Sequence, residues 1–120
     1  MVLRVLRVIA VAVPLSALGA VAVTSHVPQL LASAMCVLAE RHHAGNAVGP
    51  AFERLTQGAG GGEAMWGDIF GSNADAVAAT LRELCGELEQ VAADLERAPE
   101  QASRALELLA LARVALGSGA

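Results

Sequence analysis

Cys36, Glu40 and His43 stand four and then three residues apart, a spacing that puts three metal-type ligands on one helix face. Glu40-x-x-His43 also has the spacing used in carboxylate-bridged iron bundles. Those sites draw matching motifs from other helices, and this sequence has none. Structural zinc asks for four ligands in tight pairs, which are missing too. The three residues read instead as Cys36 in a core with Glu40 and His43 on its wet rim. Ser25 and His26 offer a hydroxyl and an imidazole, but only geometry defines a triad, and His26 beside a helix start suits packing or capping. Gly58, Gly60, Gly61 and Gly62 invite comparison with a nucleotide loop. Glu63 occupies the place of the third glycine of G-x-G-x-x-G, and a Walker loop needs a lysine, which the chain lacks. No phosphate cradle is present.

Helices must position whatever these residues do. The 120 residues suffice for one domain, and 55% are hydrophobic while only 2% are aromatic. The apolar supply is Ala, Leu and Val, with Phe52, Trp66 and Phe70 as the large rings, which favours helices over strands. Ser25 is placed to cap a helix over residues 28–43, with Pro28 in its first turn and Gly45-Asn46 at its end. Gly49-Pro50 opens a short segment through Leu55. Residues 58–62 hold four glycines and predict an irregular, mobile connection. A further helix begins near Glu63 and loosens at Gly71.

The clearest element covers residues 73–97, capped by Ser72 or Asn73, with Asp75 in its first turn. Val77, Leu81, Leu84, Leu88, Val91 and Leu95 keep alternating spacings of four and three, a heptad seam. Arg97-Ala98-Pro99 breaks it. A last helix spans residues 100–116, with Glu100 and Arg104 as an i,i+4 pair and Leu106, Leu109 and Leu116 facing one way. The seam can be covered within the chain or by a second copy. The modest supply of large residues favours self-association, a homodimer.

The formal net charge of -4, with no basic cluster or aromatic stripe, argues against nucleic-acid binding. Cys36 and Cys85 read as small buried residues of a reducing compartment. Residues 1–23 form an apolar N-terminal segment with Arg4 and Arg7 at its start and a small-x-small triplet at residues 20–22, as in an export signal. By periodicity residues 8–13 and 21–23 fit a core strand equally well. Pro14 and Gly19 interrupt the run, so a stable membrane anchor is not expected.

Three stretches resemble the C-terminal helical domain of prephenate dehydrogenases, the NAD(P)-dependent family of tyrosine biosynthesis. Ser25-His26-Val27-Pro28-Gln29 is similar to that domain's opening Ser-His-Leu-Pro-His. Met65-Trp66-Gly67-Asp68-Ile69-Phe70, followed by Ser72-Asn73, is similar to its Met-Trp-x-Asp-Ile motif and closing asparagine. Gly49-Pro50-Ala51-Phe52 resembles the Gly-Pro-Gly-Phe that precedes the family's Arg-Asp-x-Thr-Arg segment, and Leu18-Gly19-Ala20 looks like the end of the nucleotide domain. The likeness covers most of residues 18–97.

The resemblance implies an all-α bundle over residues 24–116 that dimerises and walls a substrate pocket, with 117–120 as a frayed tail. It places His26 on the prephenate side of that pocket and matches Thr56. The family arginine that clamps a substrate carboxylate falls on Gln57, which cannot replace a bidentate charge. Glu53 and Arg54 stand where the family has Arg then Asp. The family's Rossmann domain and its glycine fingerprint are missing, so no cofactor is expected in this chain, although the family uses NAD or NADP. Catalysis alone is not expected, and the partner is a second copy or a Rossmann-bearing protein. Such a chain, a truncated or remnant relative, keeps residues 1–22 and stays in the cytoplasm. The alternative is a small exported helical protein cut near Ala22.

Overall fold

The computed structural model describes residues 17–45 and 49–117. Every element among them is helical: α1 (Ala17–Arg41), α2 (Pro50–Thr56), α3 (Glu63–Ser72), α4 (Ala74–Arg97) and α5 (Ser103–Ala115). The all-α class expected from composition is therefore what the chain adopts. Its contacts divide it into two units, residues 1–81 and 82–120.

In the first unit, α1 starts well before the expected cap. Ser25 is exposed in mid-helix and residues 21–23 are helical rather than strand, while residues 8–13 and Pro14 lie outside the described residues. Proline inside a helix gives no N–H and presses on the carbonyl four residues back. The chain meets this with a π-helical turn over Ala22–His26, closed by the Val27 N–H donating to the Ala22 carbonyl five residues away. Gly19 does not interrupt the helix either. By length and composition alone α1 is apolar enough to cross a membrane, a test that core helices and signal sequences near the N-terminus also pass.

The C-terminus of α1 also departs from expectation. His43, not Gly45, takes the left-handed conformation, with φ 52°. The Ala44 N–H donates to Ala39 O at 2.9 Å and the His43 N–H to Glu40 O at 3.1 Å, which satisfies the last carbonyls as a Schellman motif. Asn46 lies outside the described residues. After α2, the glycine segment is irregular but not loose. The Gln29 side-chain amide donates to Gly60 O, and the Gly60 N–H donates to Ser33 Oγ at 3.1 Å. Helix α3 then runs through Gly71 to Ser72.

The buried apolar residues among those described are small: Ala22, Val27, Ala32 and Val77. Two polar residues, His26 and Asn73, are buried with them.

The second unit pairs the C-terminal part of α4 with α5. Asp94 joins them. Its Oδ2 accepts the Arg104 N–H at 3.0 Å, and its Oδ1 meets Arg97 Nη2 at 2.5 Å. A carboxylate at a helix N-terminus satisfies an orphan N–H and complements the dipole. Arg104 does not pair with Glu100, because α5 begins only at Ser103 and Glu100 lies in the turn before it. Its guanidinium is held by Glu87 and, at 3.1 Å, by Glu107. Ala102 makes the corner with φ 46°, and Gly117 (φ 69°) follows the end of α5.

The seam on α4 splits in two. Glu87 and Asp94 face α5 through these bonds, so Leu84 and Val91, three residues from each, turn the same way and are half-buried. Leu88 and Leu95 fall to the flank and are 49% and 41% exposed. Among the described residues of the second unit, Leu84 and Val91 turn toward α5 while Leu88 and Leu95 stay exposed.

The Arg104 N–H is the largest cause holding the Asp94 carboxyl below its ordinary value of 3.8; partial desolvation opposes it and Arg97 reinforces it. A depressed folded value means stability present in full above the ordinary value and lost as pH falls through the folded one. Asp94→Asn should therefore lower the urea midpoint at neutral pH and flatten the loss of stability below about pH 4. Circular dichroism at both pH values checks this; an unchanged difference between them would contradict it.

Candidate functional site

The polar residues of the first unit converge on one place. His26 sits at the end of the π turn, where the widened helix brings it to face α3 and the start of α4. Asn73, expected as a helix cap, instead sends its side chain to α1. Its Nδ2 donates to Leu18 O at 2.8 Å and stands 3.2 Å from His26 Nδ1. A carbonyl can only accept, so the amide nitrogen must be the atom facing Leu18. Its second N–H is then offered to His26, and Nδ1 accepts it, which puts the imidazole proton on Nε2. Only the Asn73 carbonyl remains at the helix start, accepting the Val77 N–H at 3.0 Å. Ser72 turns back to Ile69 O.

The His26 ring meets Trp66 edge-on, with centroids 6.4 Å apart and planes at 85°. Trp66 in turn packs on Phe70 at 5.3 Å. Against the indole lies the glycine segment. Gly61 adopts φ 107°, and a Cβ there would fall 2.9 Å from Trp66 Nε1. Glycine is required on both counts, backbone angle and space. Between α1, this segment and α3 runs an open groove of about 380 Å³, lined by Gln29, Leu30, Ser33, Glu63, Trp66, Phe70 and the backbone of residues 60–62.

Of the substrate-binding residues implied by the resemblance, His26, Thr56 and Gln57, none lines this groove, although Gln29, Trp66 and Phe70 of the matched motifs do. His26 is buried behind it. Thr56 is half-buried, and its hydroxyl donates to Phe52 O at 2.7 Å, one turn back in its own helix. Gln57 is exposed after the end of α2. The groove has no cationic lining residue and one carboxylate, Glu63, so no side chain in its lining offers a charge to an anion.

The other sequence candidates are not assembled. His43 leaves the helix, which breaks the face it would share with Cys36 and Glu40. Among the described residues no group of three His, Cys, Asp or Glu side chains could hold a metal ion. An amide, not a carboxylate, orients His26, and Ser25 is exposed. Cys36 is half-buried and Cys85 exposed, both as free thiols, so Cys85 is not the core residue expected. What the sequence reading missed was the role of Asn73 and the pin made by Gln29 and Ser33. Their four-residue spacing on one face of α1 was the available signal.

No family model, curated protein or solved structure matches this chain.

Asn73→Ala removes the donor to a buried imidazole nitrogen and should cost about 1–3 kcal/mol. Trp66 is the only tryptophan in a chain without tyrosine, so its emission reports on the same site. The variant should show a lower unfolding midpoint and a red-shifted native spectrum. Parent-like values for both would contradict the assigned role of Asn73.

Proposed function

We propose that this chain is a helical association domain, similar in kind to the C-terminal domain of prephenate dehydrogenases, and that it has no catalytic activity alone. The observation that carries the reading is the open apolar surface of the second unit. Leu88, Leu95, Leu106, Leu109 and Leu111 are all more than two-fifths exposed there. Each leucine fully buried against a partner contributes about 1.5–3 kcal/mol. Large apolar side chains left open in this number are surface that a partner can cover.

The family likeness gains support from where its motifs meet. His26 and Gln29 of the first motif, Trp66 and Phe70 of the second and the closing Asn73 all belong to one cluster of contacts. The catalytic half of the analogy has less behind it. The chain carries no dinucleotide fingerprint, and neither Gln57 nor the groove offers a cation to a substrate carboxylate.

Sedimentation of the parent protein at about 10–50 µM should give a dimer or larger, with stability that rises with concentration. Leu88→Glu places a carboxylate in the covered surface and should yield monomer that remains helical. A monomeric parent would overturn the association reading. The purified chain should leave prephenate with NAD or NADP unoxidised, and turnover above background would overturn the inactive assignment.

The apolarity of α1 favours a second reading, export or membrane insertion of the N-terminal segment. Cytoplasmic residence predicts that protein from its native host retains residues 1–22. An intact mass starting at Val23 would establish export instead. Cleavage there would also remove Leu18, whose carbonyl accepts the Asn73 amide.

A further inference from the structure

The bonds around His26 fix more than its place. The imidazole is only 9% exposed, and through Asn73 it holds α1 to the start of α4. One Asn73 N–H goes to Leu18 O at 2.8 Å, so the same nitrogen offers its other N–H to Nδ1, 3.2 Å away. This joint closes only on a ring nitrogen that carries no proton. A proton on Nδ1 would face an N–H donor, and neither group would have an acceptor. Turning the amide over does not help, because its oxygen would then stand against the Leu18 carbonyl, acceptor on acceptor.

The surroundings give an imidazolium nothing in exchange. Asn73 precedes the first turn of α4, where the helix dipole has its positive end. Trp66 meets the ring edge-on, and an indole supplies no hydrogen-bond acceptor. Along α1 no Asp, Glu, Lys or Arg stands between Ala17 and Ala39. The charged side chains of the other elements of this unit are Glu53 and Arg54 on α2, Glu63 and Asp68 on α3 and Asp75 on α4. All five are exposed, and none forms an ion pair with His26.

From these observations we infer that Leu18, Asn73 and His26 form a proton-sensitive latch, closed by the neutral imidazole and opened by its protonation. Opening releases the N-terminal turns of α1 from α3 and α4. The π turn is part of the device, since it sets His26 inward between the buried residues Ala22 and Val27. The unfolded chain takes up the proton that the closed latch refuses. Stability of the first unit is therefore full above the ordinary imidazole range, about 6.5, and falls as pH drops through it. The latch lies within the first unit and stands whether or not copies of the chain associate.

Urea unfolding followed by Trp66 emission reads this unit, because Trp66 is the one tryptophan of the chain. Of the three histidines, His42 and His43 are exposed at the end of α1. Replacing them as His42→Gln and His43→Asn leaves His26 alone to titrate, and asparagine suits the left-handed angle at residue 43. In this variant the folding constant should fall about tenfold or more from pH 7 to pH 5. Adding His26→Gln keeps an acceptor there without a titration, and the fall should disappear. An unchanged constant in the first variant, or an equal fall in the second, overturns the latch.

Should His26→Gln fail to fold, the tautomer decides. Nitrogen NMR of the variant with one histidine, at pH 7, should find the imidazole proton on Nε2. A proton on Nδ1 would mean that Asn73 presents its oxygen to the ring, and the latch is overturned.

Discussion

A helix of α4's composition has more apolar circumference than one neighbour can cover, and the polar bonds between α4 and α5 decide which part stays open. Glu87 and Asp94 could have faced solvent, as charges on amphipathic helices usually do. Arg104 and the N-terminus of α5 draw them inward instead. Because Leu84 and Val91 share their side of the helix, they follow. Leu88 and Leu95 are rotated outward by the same geometry. The open leucine column is thus a consequence of how the hairpin is closed, and the association reading depends on it.

The first unit relies on a comparable device. Its buried apolar residues are alanines and valines, whose burial contributes little each. Directional bonds supply the specificity that bulk does not. Asn73 ties the start of α4 to α1 at two points, and Gln29 with Ser33 fixes a loop that its glycines would otherwise leave loose. The π turn ahead of Pro28 belongs to the same scheme, since it carries His26 to the position where Asn73 and Trp66 meet it.

Much of this was legible from residue types. Alanine and leucine content pointed to helices, and the long element expected over residues 73–97 is observed as Ala74–Arg97. Short-range rules failed where tertiary bonds compete with them. Ser25 and Asn73 are good capping residues, yet one is bypassed by a helix that starts earlier and the other is claimed by α1. Glu100 and Arg104 have ideal spacing for a pair, but the left-handed turn at Ala102 keeps Glu100 out of the helix. The heptad seam was visible as a period. Which of its columns turns inward depends on Arg104, and no local pattern encodes that. The motif residues His26, Gln29, Trp66 and Asn73 do share one site, whereas Thr56 and Gln57 lie apart from its groove.

The central claim is that the outer flank of α4 is open in one copy and covered when copies meet. Cys85 lies within that flank as an exposed free thiol, which makes it a direct reporter. In a Cys36→Ser variant, the rate at which Cys85 reacts with a disulfide reagent should be followed across the range of concentrations over which the protein associates. The account predicts a fast rate in dilute protein that falls as the dimer fills. A rate per molecule that stays constant while sedimentation records association would show that the copies meet elsewhere, and would contradict it.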